Sequence, residues 1–365
     1  MKLLFDLNHP AHFHLFRFVI DDLASSNTII ITAKEKDVLL SLLRRNGFMP
    51  IILQAEKRRA GLFFSAIGIL KRDLKLFHIV LREQPDILIG TSISITHVGK
   101  LLKIPSLYFG EDGYKAVPLS YRFGYPFATN IISPKCVDVG KYNFKKIEYS
   151  GYHELSYLAP ETFAPSEAII NKYGLAIDKP YFLLRFSALQ AHHDTGKKGI
   201  DLGFALKIIK KLERHGRVLV SSEKILPQEI NVYRLSINPE DIHHVMAFSR
   251  LLIGDSQTMA IESAVLGVPS IRYSSFAGQL MVLEELEHEY GLTFGFLPGY
   301  DDLLLQKIDE LLKINKIAIA QAHTKMLSDK IDVRKFFGWL IKNYPESLRI
   351  IKENPSYQDD FNLNF

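Results

Sequence analysis

Leu251-Leu-Ile-Gly-Asp-Ser-Gln-Thr-Met-Ala-Ile-Glu-Ser-Ala-Val-Leu-Gly-Val-Pro-Ser-Ile271 runs an apolar strand into a turn and a helix that starts on small residues. After Gly267-Val268-Pro269 a second apolar strand follows. This spacing predicts a βαβ unit. Its first turn leaves backbone N–H groups of Asp255 to Thr258 pointing outward, an anion site suited to a diphosphate. Glu262, further along the helix, is then placed to accept hydrogen bonds from a ribose. An ordinary strand–helix turn with a surface glutamate has the same spacing, so the stretch decides the fold and leaves its use open.

The alternation extends outward in both directions. Residues 2–7, 28–32, 49–53, 86–90 and 104–109 are short runs rich in apolar and β-branched residues, with helical patterns at 11–25, 35–46, 62–84 and 93–102. The pattern weakens around 149–165, where Gly151, Pro160 and Pro165 punctuate a polar stretch, and restarts after Pro180. Strands are predicted at 181–186, 217–220, 231–235, 251–253 and 270–273, with helices at 200–215, 241–248, 258–266 and 279–290. Two doubly wound parallel-sheet units of α/β class follow from such alternation. The expected division is an N-terminal domain over 1–151, a linker over 152–165 and a C-terminal domain over 166–330. Helices over 331–365 are expected to pack back toward the N-terminal domain and to fray from about Asn354. Two Rossmann-like halves facing across a cleft bind ligands at the carboxyl ends of their strands.

Bulk properties narrow the class. A chain of 365 residues suffices for two domains with separate cores, and 47% apolar against 23% charged residues is a globular balance. The net charge of +5 favours anionic partners such as nucleotides or anionic lipid, yet is too small to argue for nucleic acid. A single cysteine, Cys136, excludes an internal disulfide and fits a reducing compartment. The first apolar run has neither the length nor the flanks of a signal peptide, and no uninterrupted apolar stretch is long enough to span a bilayer. A cytoplasmic protein, or one lying on the inner face of a membrane, is expected.

Three further stretches carry chemistry. Phe5-Asp-Leu-Asn-His-Pro-Ala-His-Phe-His14 sits where the first strand hands over to the first helix. His12 there is a candidate general base, since imidazole titrates near neutral pH, while His9 and His14 read equally as caps or surface residues. The His12/His14 pair also suggests a metal-dependent hydrolase, but only His192-His193-Asp194 offers further ligands. At Gly110-Glu-Asp-Gly-Tyr114 a carboxylate, Glu111, faces the ligand edge as a second candidate base, against the alternative of a plain Asp-Gly turn. Tyr181-Phe-Leu-Leu-Arg-Phe-Ser-Ala-Leu-Gln-Ala-His-His-Asp194 ends a buried strand in a loop where Arg185 and Ser187 are placed near a pyrophosphate.

The basic segment 57–82 shows Phe63, Ile67, Leu70, Leu74, Phe77 and Leu81 at helical spacing, a core-facing stripe. Leu62, Phe64 and Ile69 fall off that stripe beside Lys71 and Lys75, a pattern suited to an anionic bilayer surface or to a protein partner. No Asp-x-Asp, P-loop, Gly-x-Gly-x-x-Gly or Gly-x-Ser-x-Gly stands in a fitting context, which argues against ATPases, NAD dehydrogenases, α/β-hydrolases and metal-dependent sugar transferases.

On these residues the chain resembles GT-B-fold nucleotide-sugar enzymes, and in particular an uncharacterised family of predicted glycosyltransferases. The landmarks are Phe5-Asp-x-Asn-x-Pro-x-His-x-His14, Gly151-x-x-Glu-Leu-x-Tyr-Leu158, Arg185-x-Ser-Ala-x-x-Ala-His-x-Asp194 and Ile253-Gly-x-x-x-Thr-Met-Ala-x-Glu-x-Ala-x-Leu-Gly-x-Pro269. Non-hydrolysing UDP-N-acetylglucosamine 2-epimerases share the Gly-Asp-Ser stretch with a glutamate seven residues after the aspartate. The peptidoglycan N-acetylglucosaminyltransferase is similar at His12, at Glu262 and in the basic-apolar patch, and its sugar-contacting glutamine matches Gln279.

The resemblance implies a metal-independent glycosyltransferase with no cofactor. It would take a nucleotide-sugar, a UDP-sugar of N-acetylglucosamine type, to a glycan or lipid-linked acceptor in cell-surface polysaccharide synthesis. Ser256, Gln257 and Thr258 would meet the diphosphate, Glu262 the ribose, with Arg185 and Ser187 nearby; His12, or else Glu111, would deprotonate the acceptor. Replacement of the epimerase His-Arg-x-Glu-Asn by Arg185-Phe-Ser-Ala favours transfer over epimerisation. Epimerase, metal-dependent hydrolase and non-catalytic sugar-nucleotide sensor remain the alternatives.

Overall fold

The computed structural model describes residues 1–35, 37–53, 62–186, 200–222 and 225–363, with the backbone alone for residue 37 and residues 62–67. Two compact units divide the chain: one is Met1–Tyr157 completed by the segment from Lys330 onward, the other Leu158–Asp329.

The first unit runs β1 (Lys2–Leu7), α1 (Pro10–Ala24), β2 (Thr28–Lys34), α2 (Asp37–Arg45), β3 (Ile51–Leu53), α3 (Leu62–Glu83), β4 (Ile87–Gly90), α4 (Ile93–Leu102), β5 (Ser106–Phe109), α5 (Pro118–Phe123), β6 (Asn130–Pro134) and β7 (Lys146–Tyr149), then α6 (Leu155–Leu158). Among the described residues its sheet has seven parallel strands in the order β3-β2-β1-β4-β5-β6-β7. The order reverses between β1 and β4, so right-handed crossovers place α1 and α2 on one face and α3, α4 and α5 on the other.

In the second unit α7 (Glu167–Asn171), β8 (Tyr181–Phe186), α8 (Leu202–Leu212), β9 (Arg217–Ser222), α9 (Gln228–Asn231), α10 (Ile242–Ala247), β10 (Leu251–Gly254), α11 (Gln257–Val265), β11 (Ser270–Tyr273), α12 (Met281–His288) and β12 (Thr293–Phe296) lead to α13 (Asp301–Lys313) and α14 (Lys316–Ser328). Its five described strands, also parallel, run β12-β11-β10-β8-β9 and reverse between β10 and β8. Beyond it, α15 (Val333–Lys342) and α16 (Glu346–Glu353) return to the first unit. Arg334 forks onto Asp22 of α1 at 2.6–2.7 Å, and Phe337 meets Phe109 and Tyr149 edge-on.

Both reversal points use the same device. Gly90 ends β4 and Gly254 ends β10; a Cβ at either would meet a neighbouring backbone carbonyl, Asp6 O at 2.7 Å and Arg185 O at 2.2 Å. The strands therefore close tightly enough for the next turn to start a helix, capped by Ser92 for α4 and Ser256 for α11. Topological switch points of this kind open the crevice where ligands bind in doubly wound sheets.

The structure revises four expectations. On α3, Leu70, Leu74 and Leu81 are not core-facing: they are 60%, 52% and 49% exposed, while Leu76 and Val80 are buried and Ile69 is half-buried. The helix is apolar on both sides, so its phase is set by inward polar contacts, Arg72 to Asp6 and Asp73 to His97. The side chains of Leu62, Phe63, Phe64 and Ile67 lie outside the described residues. Instead of a strand over 231–235, α9 ends at Asn231 and Arg234 makes an isolated bridge to Val220. The first half of the expected linker is core, with Tyr152, Glu154 and Tyr157 buried. Past Asn354 the chain is a 3-10 turn rather than frayed, with Tyr357 stacked on Trp339 at 5.0 Å and Gln358 accepting from Ser150 N–H.

Candidate functional site

At the carboxyl edge of the first sheet, β1 sets Asp6 level with Thr32 of β2 and Gly90 of β4. Asp6 is fully buried and accepts from Thr32 Oγ1 at 2.8 Å, Ser92 Oγ at 2.5 Å and Arg72 Nη2 at 2.6 Å. Burial acts to raise its pKa, but the Arg72 guanidinium and these hydrogen bonds outweigh it and hold the carboxyl below the usual range. An ionised aspartate thus ties β2, the start of α4 and α3 together beneath the ligand edge.

The three histidines of this loop separate. His9 caps α1, its Nδ1 accepting from Ala11 N–H at 3.2 Å ahead of Pro10 at the first turn. His14 packs on the Tyr157 ring. His12, half-buried, has Thr91 Oγ1 within 3.0 Å of its ring nitrogens, and Asn8 N–H donates to its Nδ1 at 3.1 Å. A backbone N–H only donates, so in the neutral ring the proton sits on Nε2.

Glu111 follows β5. Its Oε1 accepts from His153 N–H at 2.8 Å and its Oε2 lies 3.4 Å from His153 Nδ1. Burial, reinforced by the neighbouring Asp112 charge, pushes the Glu111 carboxyl up to about 8, despite its bonds to His153 N–H and Glu154. Burial equally pulls His153 down to about 3, so that imidazole is neutral. At neutral pH Glu111 carries a proton.

The second unit offers the other edge. Asp255 N–H is not free as expected but donates to Arg185 O at 3.3 Å, across the β8–β10 switch point. Ser256 caps α11 by accepting from Met259 N–H, whereas the N–H groups of Ser256, Gln257 and Thr258 have no partner among the described residues. Arg185 Nη1 donates to Ser221 Oγ at 3.0 Å. Glu262 is nearly buried on α11, its Oε1 3.0 Å from His243 Nε2 of α10. Gln279 stands exposed on the loop between β11 and α12, its side chain donating to Ser275 O. Ser187 lies outside the described residues, as do His192, His193 and Asp194.

Two groupings result: His12 and Glu111 at the first sheet's edge, and Arg185, Ser256, Gln257, Thr258 and Gln279 at the second's, with Glu262 within α11. Among the described residues, no group of three or more His, Cys, Asp or Glu side chains is placed to hold a metal ion. Sequence reasoning passed over Asp6, Thr91, Ser92 and His243. Gly90-Thr-Ser92 matches Gly254-Asp-Ser256 in placing a serine two residues after a strand-end glycine, a likeness that would have exposed the first switch point; Arg72 and His243 carry no local signal.

Two doubly wound parallel-sheet units, each with a capped helix at its switch point, define the GT-B fold class. The chain belongs to the family described as "Protein of unknown function (DUF354)", whose model matches residues 1–294. No curated protein matches the sequence. Solved structures share the fold at low identity. The UDP-N-acetylglucosamine 2-epimerase from Rickettsia bellii superposes with a TM-score of 0.69 at 15% identity, covering 97% of this chain and 99% of its own. The same enzyme from Neisseria meningitidis, bound to UDP-GlcNAc, gives 0.66 at 14% over 94% and 100%. The calicheamicin glycosyltransferase CalG4 gives 0.61 at 12% over 94% and 99%.

Proposed function

We propose that this protein is a metal-independent glycosyltransferase of hexosyltransferase type that takes a UDP-sugar, of N-acetylglucosamine kind, as donor and needs no cofactor. The observation that carries it is the start of α11, where three amides with no partner among the described residues stand at a switch point between one and two turns before Glu262. Amides and helix dipole suit a diphosphate, and they supply the charge stabilisation of the leaving group that a metal supplies elsewhere. Fold neighbours that are UDP-GlcNAc 2-epimerases, one bound to UDP-GlcNAc, support the choice of nucleotide. Ser256, Gln257 and Thr258 meet the diphosphate, Glu262 the ribose and Gln279 the sugar, with Arg185 and Ser187 beside them.

In the transfer the acceptor oxygen bonds to the anomeric carbon, the bond from that carbon to the diphosphate breaks, and the hydroxyl proton goes to the enzyme. Burial raises the Glu111 carboxyl to about 8 and disfavours the ionised form that a base needs, so the role goes to His12. Because Nδ1 holds the lone pair, the acceptor hydroxyl takes the place of Asn8 N–H at that atom. The acceptor is a glycan or lipid-linked glycan of cell-surface polysaccharide synthesis, met at the cytoplasmic face of the membrane. Supporting the membrane contact, α3 exposes Leu70, Leu74 and Leu81 beside exposed Lys71 and Lys75.

Calorimetric titration with UDP, GDP, CDP and TDP in the presence of a chelator tests the donor assignment. Binding of UDP alone, weakened about tenfold in Glu262→Ala through loss of a charge-assisted bond, is expected; no binding of any nucleotide overturns it. Incubation with UDP-N-acetylglucosamine and no acceptor separates the chemistries, since appearance of the 2-epimer assigns the epimerase activity instead.

A further inference from the structure

Glu262 does not stand alone. Its carboxylate and the His243 imidazole are both nearly buried, 7% exposed as side chains, and Nε2 lies 3.0 Å from Oε1. The two come from different elements, α10 before β10 and α11 after it. Residues Ala260 to Val265 are all buried, so the backbone of α11 is immobilised and the remaining freedom is that of the glutamate side chain. Unrestrained, such a side chain has three rotatable bonds to order before it meets a ligand. His243 removes that freedom by anchoring one oxygen.

The imidazole is itself held. Phe163 meets the His243 ring edge-on at 6.2 Å and lies tilted against His244 at 4.7 Å. Ser166 N–H donates to His244 Nδ1 at 3.1 Å, which pins α10 to the segment that opens the second unit. Glu262 is five residues beyond Gln257, an axial rise of about 7.5 Å from the amides that have no partner among the described residues, and helical side chains lean back toward the N-terminus. That interval matches a diphosphate followed by a ribose.

We infer that His243 is a positioning residue for nucleotide recognition: its Nε2–H holds the Glu262 carboxylate toward the ribose diol and so sets the preference for ribonucleotides over deoxyribonucleotides. This rests on the assignment of the α11 start as the nucleotide site. The hydrogen bond from a carboxylate to a sugar hydroxyl is directional, and a site built for it rejects the analogue that lacks the hydroxyl.

The test is titration of wild type, His243→Ala, His243→Gln and Glu262→Gln with UDP and with 2′,3′-dideoxy-UDP, each variant checked by circular dichroism. Wild type is expected to prefer UDP by about tenfold or more, the worth of one good hydrogen bond. His243→Ala should lose most of that preference through weaker UDP binding, with the dideoxy affinity unchanged. His243→Gln, which keeps an N–H donor, should recover part of it and serves where the alanine variant does not fold. A buried pair of purely structural value would weaken both ligands alike, and that outcome overturns the inference. Loss of preference in Glu262→Gln but not in either His243 variant overturns it while leaving the nucleotide site intact. Failure of wild type to bind UDP at all removes both.

Discussion

A carboxyl group held protonated at neutral pH leaves a thermodynamic signature, and Glu111 is such a group. Its folded pKa, about 8, lies above its ordinary value of 4.5, so the folded state binds the proton more tightly. Stability is therefore unaffected below about pH 4.5 and declines as pH rises toward 8, where the cost levels off. Glu111→Gln keeps an oxygen for His153 N–H and removes the titration. Thermal unfolding at pH 5, 7 and 9 should show the variant gaining on wild type with rising pH; a constant difference would refute the protonated state. His12 makes the opposite kind of statement. As a base it should be irreplaceable by any hydrogen-bonding side chain, so His12→Ala and His12→Gln should both lose about 10²–10⁴ in turnover with UDP affinity unchanged. Recovery in His12→Gln would show that it donates a hydrogen bond and does not take a proton.

Among the elements, α3 shows how polar contacts set a helix's rotation. Arg72 and Asp73 face inward on the same side as the buried Leu76 and Val80, reaching Asp6 and His97. The His97 imidazole also reaches Phe123 O with Nε2 at 2.6 Å, and its bond to Asp73 raises its pKa. With α3 so fixed, Leu70 and Leu74 point to solvent beside Lys71 and Lys75. Leu70→Ser with Leu74→Ser should reduce sedimentation with anionic liposomes and leave thermal stability within about 0.5 kcal/mol per site, as for other exposed positions. Unchanged sedimentation would remove α3 from the membrane proposal. In the second unit Arg272, fully buried at the end of β11, holds Glu287 at 2.9 Å and lies 3.7 Å from Glu284, both on α12. Arg272→Met should cost about 1.5–3 kcal/mol in urea unfolding, because it removes the charge-assisted bonds to the half-buried Glu287 and Glu284.

At the scale of the whole molecule the two units carry separate sheets and separate cores, and ligands should report on them separately. Hydrogen exchange with saturating UDP should slow at the start of α11 and around His243 while the edge formed by β1 and β4 exchanges as before. Protection at β1 instead would move the nucleotide to the first unit.

What was legible in the sequence was local. Short apolar and β-branched runs alternating with helical patterns, and a turn into a helix that starts on small residues, act over a few residues, and they yielded the doubly wound units and the turn after Gly254. The strand expected at 231–235 shortens to a single bridge, Arg234 beside Val220, because α9 extends to Asn231 and only Tyr233 and Leu235 bond to Val220. The phase of α3, the proton on Glu111, the tie of Asp6 to Arg72 and the clasp of His243 on Glu262 belong to the tertiary structure alone. Each joins residues that are far apart in the chain or depends on burial, and neither the dielectric around a carboxyl nor the donor that meets it is written in its neighbours.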